Sequence, residues 1–264
     1  MDADKVRQIN RDGWNRLVAE GDVWTVPVSP DVIRRARGGD WSVLLTPTKP
    51  VPTDWFGDIR NKDVLCLASG GGQQGPVLAA AGALVTVFDA SPAQLGQDRL
   101  VAEREDLQIE MIEGFMHDLS AFDNGRFDLI FHPVSNIFAP EILPVWRECF
   151  RVLRPGGVLL AGFMNPTMFI FDYAKADIGV FEVVHRLPSS DADLSSDEVE
   201  LILAREHTLG FSHSLEDQIG GQLRAGFHLT DLFEDVHPSN PLSAYFPLAL
   251  ATRAVKPRPS APER

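Results

Sequence analysis

Short runs of β-type apolar residues alternate with helical patterns through the middle of the chain. The apolar runs predict five strands, at 63–68, 84–89, 107–114, 127–132 and 158–163. Helical signals lie between them, at 72–83, 91–105 and 139–153. Strands that alternate with helices are joined by right-handed crossovers, which predicts a doubly wound parallel sheet. A ligand of such a sheet is expected at the carboxyl ends of its strands.

The end of the chain departs from this alternation. Two long β-type runs, at 226–236 and 244–255, are joined only by the loop HPSNPLS. A loop of this length joins antiparallel neighbours, because a parallel pair needs a crossover of a dozen or more residues. The sequence therefore predicts an α/β fold with a doubly wound, Rossmann-like seven-stranded sheet whose last strand is antiparallel.

Composition narrows the class of protein. The chain has 264 residues and a formal net charge of −13, without an evident lysine and arginine cluster, so a nucleic-acid substrate is disfavoured. The first residues are charged and no apolar run reaches the roughly 18 residues of a membrane helix, so neither a secretory signal nor a membrane anchor is expected. Two isolated cysteines favour the cytoplasm. The histidines lack metal-ligand spacing, so no metal is predicted.

A glycine-rich loop after the first predicted strand indicates a nucleotide-like cofactor. Gly70, Gly72 and Gly75 spell G-x-G-x-x-G, and Asp89 ends the second predicted strand, where a carboxylate binds ribose hydroxyls. Asp89 could also serve only to cap the following helix. This pair of features suits a nicotinamide dinucleotide and S-adenosylmethionine equally well.

Five motifs distinguish the two cofactors. In order they are VLCLASGGG, VTVFDASPAQL, EGFMHDLSAF, FDLIFHPVSNIF and RVLRPGGVLLAGF. With them the chain resembles the class I S-adenosylmethionine-dependent methyltransferases from Val64 to Phe163, and its CLASGGGQQ loop is similar to that of a bacterial branch acting on small molecules. The resemblance implies methyl transfer to a small-molecule acceptor with release of S-adenosylhomocysteine. An NAD(P)-dependent oxidoreductase and a catalytically silent cofactor-binding protein are the alternatives.

The resemblance also implies which residues bind the cofactor. These are Ala68, Gly70, Gly72, Gln73, Asp89, Ala90, Met116, His117, Asp118 and His132. Asp89 would bind the ribose diol, Asp118 the adenine amino group, and His132 would lie beside the methionine moiety. The family commonly has an acidic residue at the position of Cys66 and a glycine at that of Ala68. These departures leave open how the methionine amino group is held, with Gln73 and Gln74 as candidates.

The acceptor is expected to lie under segments outside the common core. Residues 1–54 are rich in tryptophan and are predicted to form a helical lid. The methyltransferase domain is predicted at 55–256, with an insertion at about 165–211 that forms a cap. A flexible tail is predicted at 257–264. Helices that dock on a sheet also bury tryptophans, so a core role stays open for them. The candidate general bases are His132, Asp172, Tyr173 and His213.

Overall fold

The computed structural model describes residues 1–259, except for the side chains of Tyr173 and Asp177. Its centre is one seven-stranded sheet in the order β3-β2-β1-β4-β5-β7-β6. The strands are β1 (Asp63–Leu67), β2 (Leu84–Asp89), β3 (Ile109–Glu113), β4 (Phe127–His132), β5 (Leu153–Met164), β6 (His228–Asp235) and β7 (Ala249–Val255). The pairs among β1 to β5 are parallel, whereas β7 is antiparallel to both β5 and β6. The predicted fold and the antiparallel last strand are confirmed.

Helices cover both faces of the sheet. They are α1 (Ala3–Glu20), α2 (Pro30–Arg37), α3 (Gln74–Ala80), α4 (Pro92–Glu105), α5 (Leu143–Val152), α6 (Tyr173–Asp177), α7 (Ser196–Glu206) and α8 (Gly221–Ala225). On one face the core contains side chains of α2, α3 and α4, and on the other it contains those of α5. The two cysteines are free and buried in these cores.

The predicted strands match the structure closely, except at the starts of β5 and β7. The bounds of β2 and β4 agree to the residue, and β3 lies at an edge of the sheet, as its polar alternation indicated. β7 begins at Ala249 rather than at residue 244, which ends a 3-10 turn. β5 already begins at Leu153 and includes the Arg-Pro-Gly-Gly turn. Phe127 pairs with Leu153, and the register then shifts before Leu129 pairs with Val158, so the turn is accommodated as an irregularity of the strand.

The amino-terminal helix is held by the insertion after β5. Val6 of α1 packs in a small core with Val199 of α7 and Leu209. Asn10 of α1 accepts a hydrogen bond from the Leu209 N–H and donates to the Leu209 carbonyl. The segment predicted as a cap thus packs on the outer side of α1. Of the predicted tail, residues 260–264 lie outside the described residues.

Within the described residues 1–259, no helix is long and apolar enough to cross a membrane. In the same range no group of three histidine, cysteine, aspartate or glutamate side chains could hold a metal ion.

Candidate active site

A cavity of about 330 Å³ lies along the carboxyl edge of the sheet. Residues at or just after the ends of β1 to β6 line it, so it spans the point between β1 and β4 where the strand order reverses. Its other walls are the inner face of α1, the segment Leu44–Pro47 and the segment Pro133–Glu141. Its volume lies in the range of small-molecule sites.

The glycine loop after β1 is built around Gly70. A Cβ placed on Gly70 would lie 2.7 Å from the Gln94 Cβ and 3.1 Å from Asp89 Oδ2, so any side chain here would clash. Gly71 and Gly72 have φ angles of +112° and +71°, which favour glycine. The loop therefore needs glycines because α4 and the end of β2 pack too close to it for side chains.

Two N–H groups of the glycine loop donate hydrogen bonds to carboxyl groups of the protein itself. The Gly70 N–H donates to Asp89 Oδ2 (2.9 Å), and the Gly71 N–H donates to Asp98 Oδ2 (3.0 Å). In a dinucleotide fold this loop lies against the pyrophosphate of the cofactor. Here two acidic side chains already accept these N–H groups, which leaves fewer donors for a phosphate. The geometry therefore disfavours the dinucleotide alternative.

Asp89 lines the cavity at the end of β2. Its Oδ1 accepts the Ser91 N–H (2.9 Å), while Ser91 caps α4 by accepting the Gln94 N–H. Burial raises the pKa of the Asp89 carboxyl, an effect that its backbone hydrogen bonds oppose. Asp89 thus holds the backbone of the N-cap residue Ser91 rather than capping α4 itself, and it also presents a carboxyl group to the cavity.

Seven of the ten residues predicted to bind the cofactor line this cavity. They are Ala68, Gly70, Gln73, Asp89, Ala90, Met116 and His117. Gly72 packs against the Gln97 carbonyl of α4 instead. Asp118 is exposed and accepts the Ser120 N–H, so it does not reach the cavity.

His132 lies behind the cavity wall and is fully buried. Its Nδ1 lies 2.9 Å from the Leu67 carbonyl oxygen, whereas its Nε2 has no hydrogen-bond partner among the described residues. Burial lowers the pKa of His132 to about 4. The imidazole is therefore neutral at ordinary pH, donates from Nδ1 and joins β4 to β1.

His213 and Asp172 also lie outside the cavity lining. The ring of His213 contacts the Asn136 and Ala139 carbonyl oxygens through Nε2, at 3.2 and 2.8 Å, and so holds the cavity-lining segment Pro133–Glu141. Asp172 caps α6 by accepting the Lys175 N–H. The side chain of Tyr173 lies outside the described residues. The catalytic roles of His213, Asp172 and Tyr173 therefore stay predictions. Neither His213 nor Asp172 lines the cavity.

The paired glutamines connect the glycine loop to the walls around it. Gln73 Nε2 donates to the Val23 and Val26 carbonyl oxygens, at 3.1 and 3.0 Å. Gln74 Oε1 accepts the Leu44 N–H (3.1 Å). Both side chains line the cavity, but much of their hydrogen-bonding capacity is used to position protein segments.

The tryptophans of residues 1–55 divide into two groups. Trp14 and Trp24 line the cavity, and the Trp14 ring packs edge-to-face on Phe138 at a centroid distance of 5.2 Å. Trp41 packs on Phe56, and Trp55 is buried with its Nε1 donating to Asp231. The positions of Trp14 and Trp24 agree with a lid over the cavity, and those of Trp41 and Trp55 agree with a role in the core.

Several cavity residues were missed from the sequence. The segment Leu44–Pro47 is held by Asp235, which accepts hydrogen bonds from Thr46 Oγ1, from the N–H and Oγ1 of Thr48 and from the Lys49 N–H, all at 2.7–2.8 Å. These hydrogen bonds lower the pKa of Asp235 to about 2, against the effect of burial. His237, two residues later, also lines the cavity. No local pattern could have indicated this arrangement.

Comparison with known proteins adds family evidence to this geometry. Residues 65–161 match a family model described as a methyltransferase domain. Uncharacterized methyltransferase YbaJ of Bacillus subtilis is 49% identical over 248 residues, covering 94% of this chain and 97% of that protein. A ubiquinone biosynthesis O-methyltransferase of Xanthomonas oryzae is 30% identical over 142 residues, covering 53% of this chain and 59% of that protein.

Solved structures share the fold. The 1,6-didemethyltoxoflavin-N1-methyltransferase of Burkholderia thailandensis, with bound 1,6-didemethyltoxoflavin and S-adenosylhomocysteine, has a TM-score of 0.60 at 14% identity, covering 97% of this chain and 91% of that chain. An S-adenosylmethionine-dependent methyltransferase of Mesorhizobium loti has a TM-score of 0.59 at 15% identity, covering 76% of this chain and 94% of that chain.

Proposed function

The chain belongs to the class I S-adenosylmethionine-dependent methyltransferases, and we propose that it methylates a small, largely apolar acceptor bound beside the cofactor. The supporting observation is that one cavity is lined both by the glycine loop with Asp89 and by the apolar residues Leu44, Leu45 and Met164. When bound, S-adenosylmethionine supplies a methyl group that its sulfonium already activates. The protein then has to align the acceptor and exclude water.

The residues at the glycine-loop end fit this cofactor. Asp89 presents a carboxyl group, and the buried Ser69 Oγ and Gln94 Oε1 have no hydrogen-bond partner among the described residues, although both side chains line the cavity. A nucleoside with free ribose hydroxyls supplies donors for such acceptors. Ala90, Met116 and His117 would enclose the adenine. The cytoplasmic location remains a prediction from the cysteines.

The names of two relatives agree with a small acceptor. One is an O-methyltransferase of ubiquinone biosynthesis, and the other carries 1,6-didemethyltoxoflavin as its bound acceptor. Acceptors with an O–H or N–H group have to lose a proton as they are methylated, and a general base assists that loss. In this chain His237 is the proposed base, because it lines the apolar end of the cavity. When Nδ1 carries the hydrogen and donates it to Ser239 Oγ, 2.9 Å away, Nε2 is free to take the proton of the acceptor.

Cofactor binding is the first test. By isothermal titration calorimetry, the protein is expected to bind S-adenosylhomocysteine and to show no comparable binding of NADH or NADPH. Asp89→Ala should weaken the binding of S-adenosylhomocysteine by roughly 2–4 kcal/mol, because a buried acceptor of ribose hydroxyls is lost. Asp31→Ala, at an exposed aspartate of α2, is the control and should bind normally. A preference for a dinucleotide would refute the proposal.

Turnover is the second test, followed as release of S-adenosylhomocysteine with a panel of phenols and N–H heterocycles. His237→Gln is expected to lower kcat on the order of 10²-fold or more, as loss of a general base does. Its affinity for S-adenosylhomocysteine should be unchanged. Full activity of His237→Gln would exclude this residue as the base. Tight cofactor binding with no methylated acceptor would favour the silent binding protein.

A further inference from the structure

A turn of π-helix lies next to the candidate active site. It is formed by Glu216–Gly220, directly before α8. Such turns are rare and occur frequently at functional sites. Side chains satisfy two of its carbonyl groups, since Trp146 Nε1 of α5 donates to the Asp217 carbonyl at 2.9 Å and Gln222 Nε2 of α8 donates to the Gln218 carbonyl at 3.1 Å. The turn is therefore held in place from both α5 and α8.

Gln218 of this π-helical turn forms a reciprocal amide pair with Asn136. Asn136 Nδ2 donates to Gln218 Oε1 at 3.0 Å, and Gln218 Nε2 donates to Asn136 Oδ1 at 3.2 Å. Gln218 is only 2% exposed and Asn136 is fully buried, and neither residue lines the cavity. Because burial removes both amides from water, each depends on the other for its hydrogen bonds.

Asn136 connects this amide pair to the wall of the cavity. Its two neighbours in the chain, Ser135 and Ile137, both line the cavity. His213 holds the backbone of this segment through the Asn136 carbonyl oxygen, whereas Gln218 holds the Asn136 side chain. The position of Asn136 limits where its two neighbours can lie, so Gln218 fixes this part of the wall from behind.

We propose that Gln218 is a positioning residue for methyl transfer, which keeps Ser135 and Ile137 in place against the bound ligands. This inference rests on the proposed function, since it takes the cavity as the site of both cofactor and acceptor. The segment Pro133–Glu141 follows β4, which lies between β1 with its glycine loop and β5 with Met164 at its end. The methyl group has to pass from the cofactor at the glycine loop to the acceptor at the apolar end. The wall that Gln218 holds therefore borders the point of transfer.

The test is calorimetric titration of the whole chain with S-adenosylhomocysteine. Gln218→Met fills a similar volume but removes both hydrogen bonds to Asn136. It is expected to lower the affinity roughly tenfold, because apparent affinity falls with the fraction of molecules whose wall is in place. Gln218→Glu is the more informative variant. Its protonated carboxyl group offers a donor and an acceptor as the amide does, whereas its ionised form only accepts and faces Asn136 Oδ1.

The affinity of Gln218→Glu relative to wild type is therefore expected to depend on pH. Burial raises the pKa of a carboxyl group, so the ratio should be near one at about pH 5.5 and should fall toward that of Gln218→Met by about pH 9. Asp217, His213 and His132 are titratable side chains on the elements around the pair. They are common to both proteins, so the ratio cancels their effect.

Thr252→Val is the matched control. Thr252 Oγ1 of β7 donates to Gln222 Oε1 at 3.1 Å, and both residues are fully buried. This hydrogen bond belongs to the same group of buried amides as Gln218, but it joins α8 to the sheet and not to the wall. Its loss should lower thermal stability and leave the affinity for S-adenosylhomocysteine equal to that of wild type.

The possible failures are distinguishable. Normal affinity of Gln218→Met, with only its stability lowered, would show that Gln218 is structural and would overturn the inference. If Gln218→Met does not fold, Gln218→Glu decides, and an affinity ratio that does not change with pH overturns the inference. An equal loss of affinity in Thr252→Val would show that any damage behind the wall acts on the site, and the role of Gln218 would be refuted. A wild-type protein that does not bind S-adenosylhomocysteine would instead overturn the proposed function.

Discussion

Asp98 is a buried carboxyl group that holds the glycine loop from α4. Its Oδ2 accepts the Gly71 N–H, whereas Oδ1 has no partner among the described residues. Burial raises the pKa of Asp98 to about 8, and the charge of Asp89 adds to that effect. At neutral pH the group is therefore largely protonated and keeps the loop in place without a second negative charge beside Asp89.

This raised pKa gives stability a defined pH dependence. In the unfolded chain Asp98 loses its proton near the ordinary aspartate pKa of 3.8, while the folded protein keeps it up to about pH 8. The folded state binds more protons between these values, so its stability falls as the pH rises. Asp98→Asn keeps the acceptor for Gly71 and does not ionise. It should gain stability over wild type as the pH increases from 4 to 8, by at most about 1.4 kcal/mol per pH unit.

Urea denaturation of both proteins at pH 5, 6, 7 and 8 measures this difference. Asp31→Asn, at an exposed aspartate of α2, is measured alongside as the reference substitution. If the difference between Asp98→Asn and wild type is the same at all four values, Asp98 is ionised in the folded protein and the assignment is wrong.

At the scale of elements, α1 is clamped between the cavity and the insertion. Gly13 packs so closely on the 207–208 backbone that a Cβ there would lie 2.2 Å from the His207 carbonyl oxygen. On the cavity side, Arg7 forms an ion pair with Glu141 at 3.0 Å, and Asn10 donates to the Phe138 carbonyl. The insertion contributes no cavity-lining residue in the described part of the chain, but it contacts α1 and, through the Phe211 N–H, the carbonyl oxygen of the lining residue Ile137.

Gly13→Val is expected to displace α1 from the insertion and so to weaken the binding of S-adenosylhomocysteine by roughly tenfold, because apparent affinity falls with the fraction of molecules in the competent conformation. Hydrogen exchange should become faster in α1, with β1 and β4 unaffected. Loss of protection throughout the sheet would show instead that α1 is part of the folding core.

The control for this substitution is Gly96→Ala in α4. A Cβ on Gly96 would meet no atom within 4 Å. An alanine inside a helix is more favourable than glycine by about 0.5–1 kcal/mol, so this variant should be slightly more stable and should bind normally.

At the scale of the whole molecule, the carboxyl ends of the parallel strands β1 to β5 lie along one edge of the sheet. The sequence predicted this edge because most of the core strands alternate with helices along the chain, and because a short last loop favours an antiparallel return. Asp89 and Gly70 could be assigned to the site from their positions at strand ends. Asp118 could not, since its direction depends on the local turn that its side chain forms with Ser120.

Local patterns were sufficient to establish the strands, their direction and the glycine loop, because periodicity and turn length act between residues close in sequence. The acceptor wall depends on contacts that no such pattern records. Leu44 reaches Gln74 across 30 residues, and Thr46 reaches Asp235 across 189. Which face of α4 meets the loop, and hence the position of Gln94, is likewise decided only when the helix packs on the sheet. Burial then removes water from these polar groups, and the need for new hydrogen-bond partners selects the arrangement.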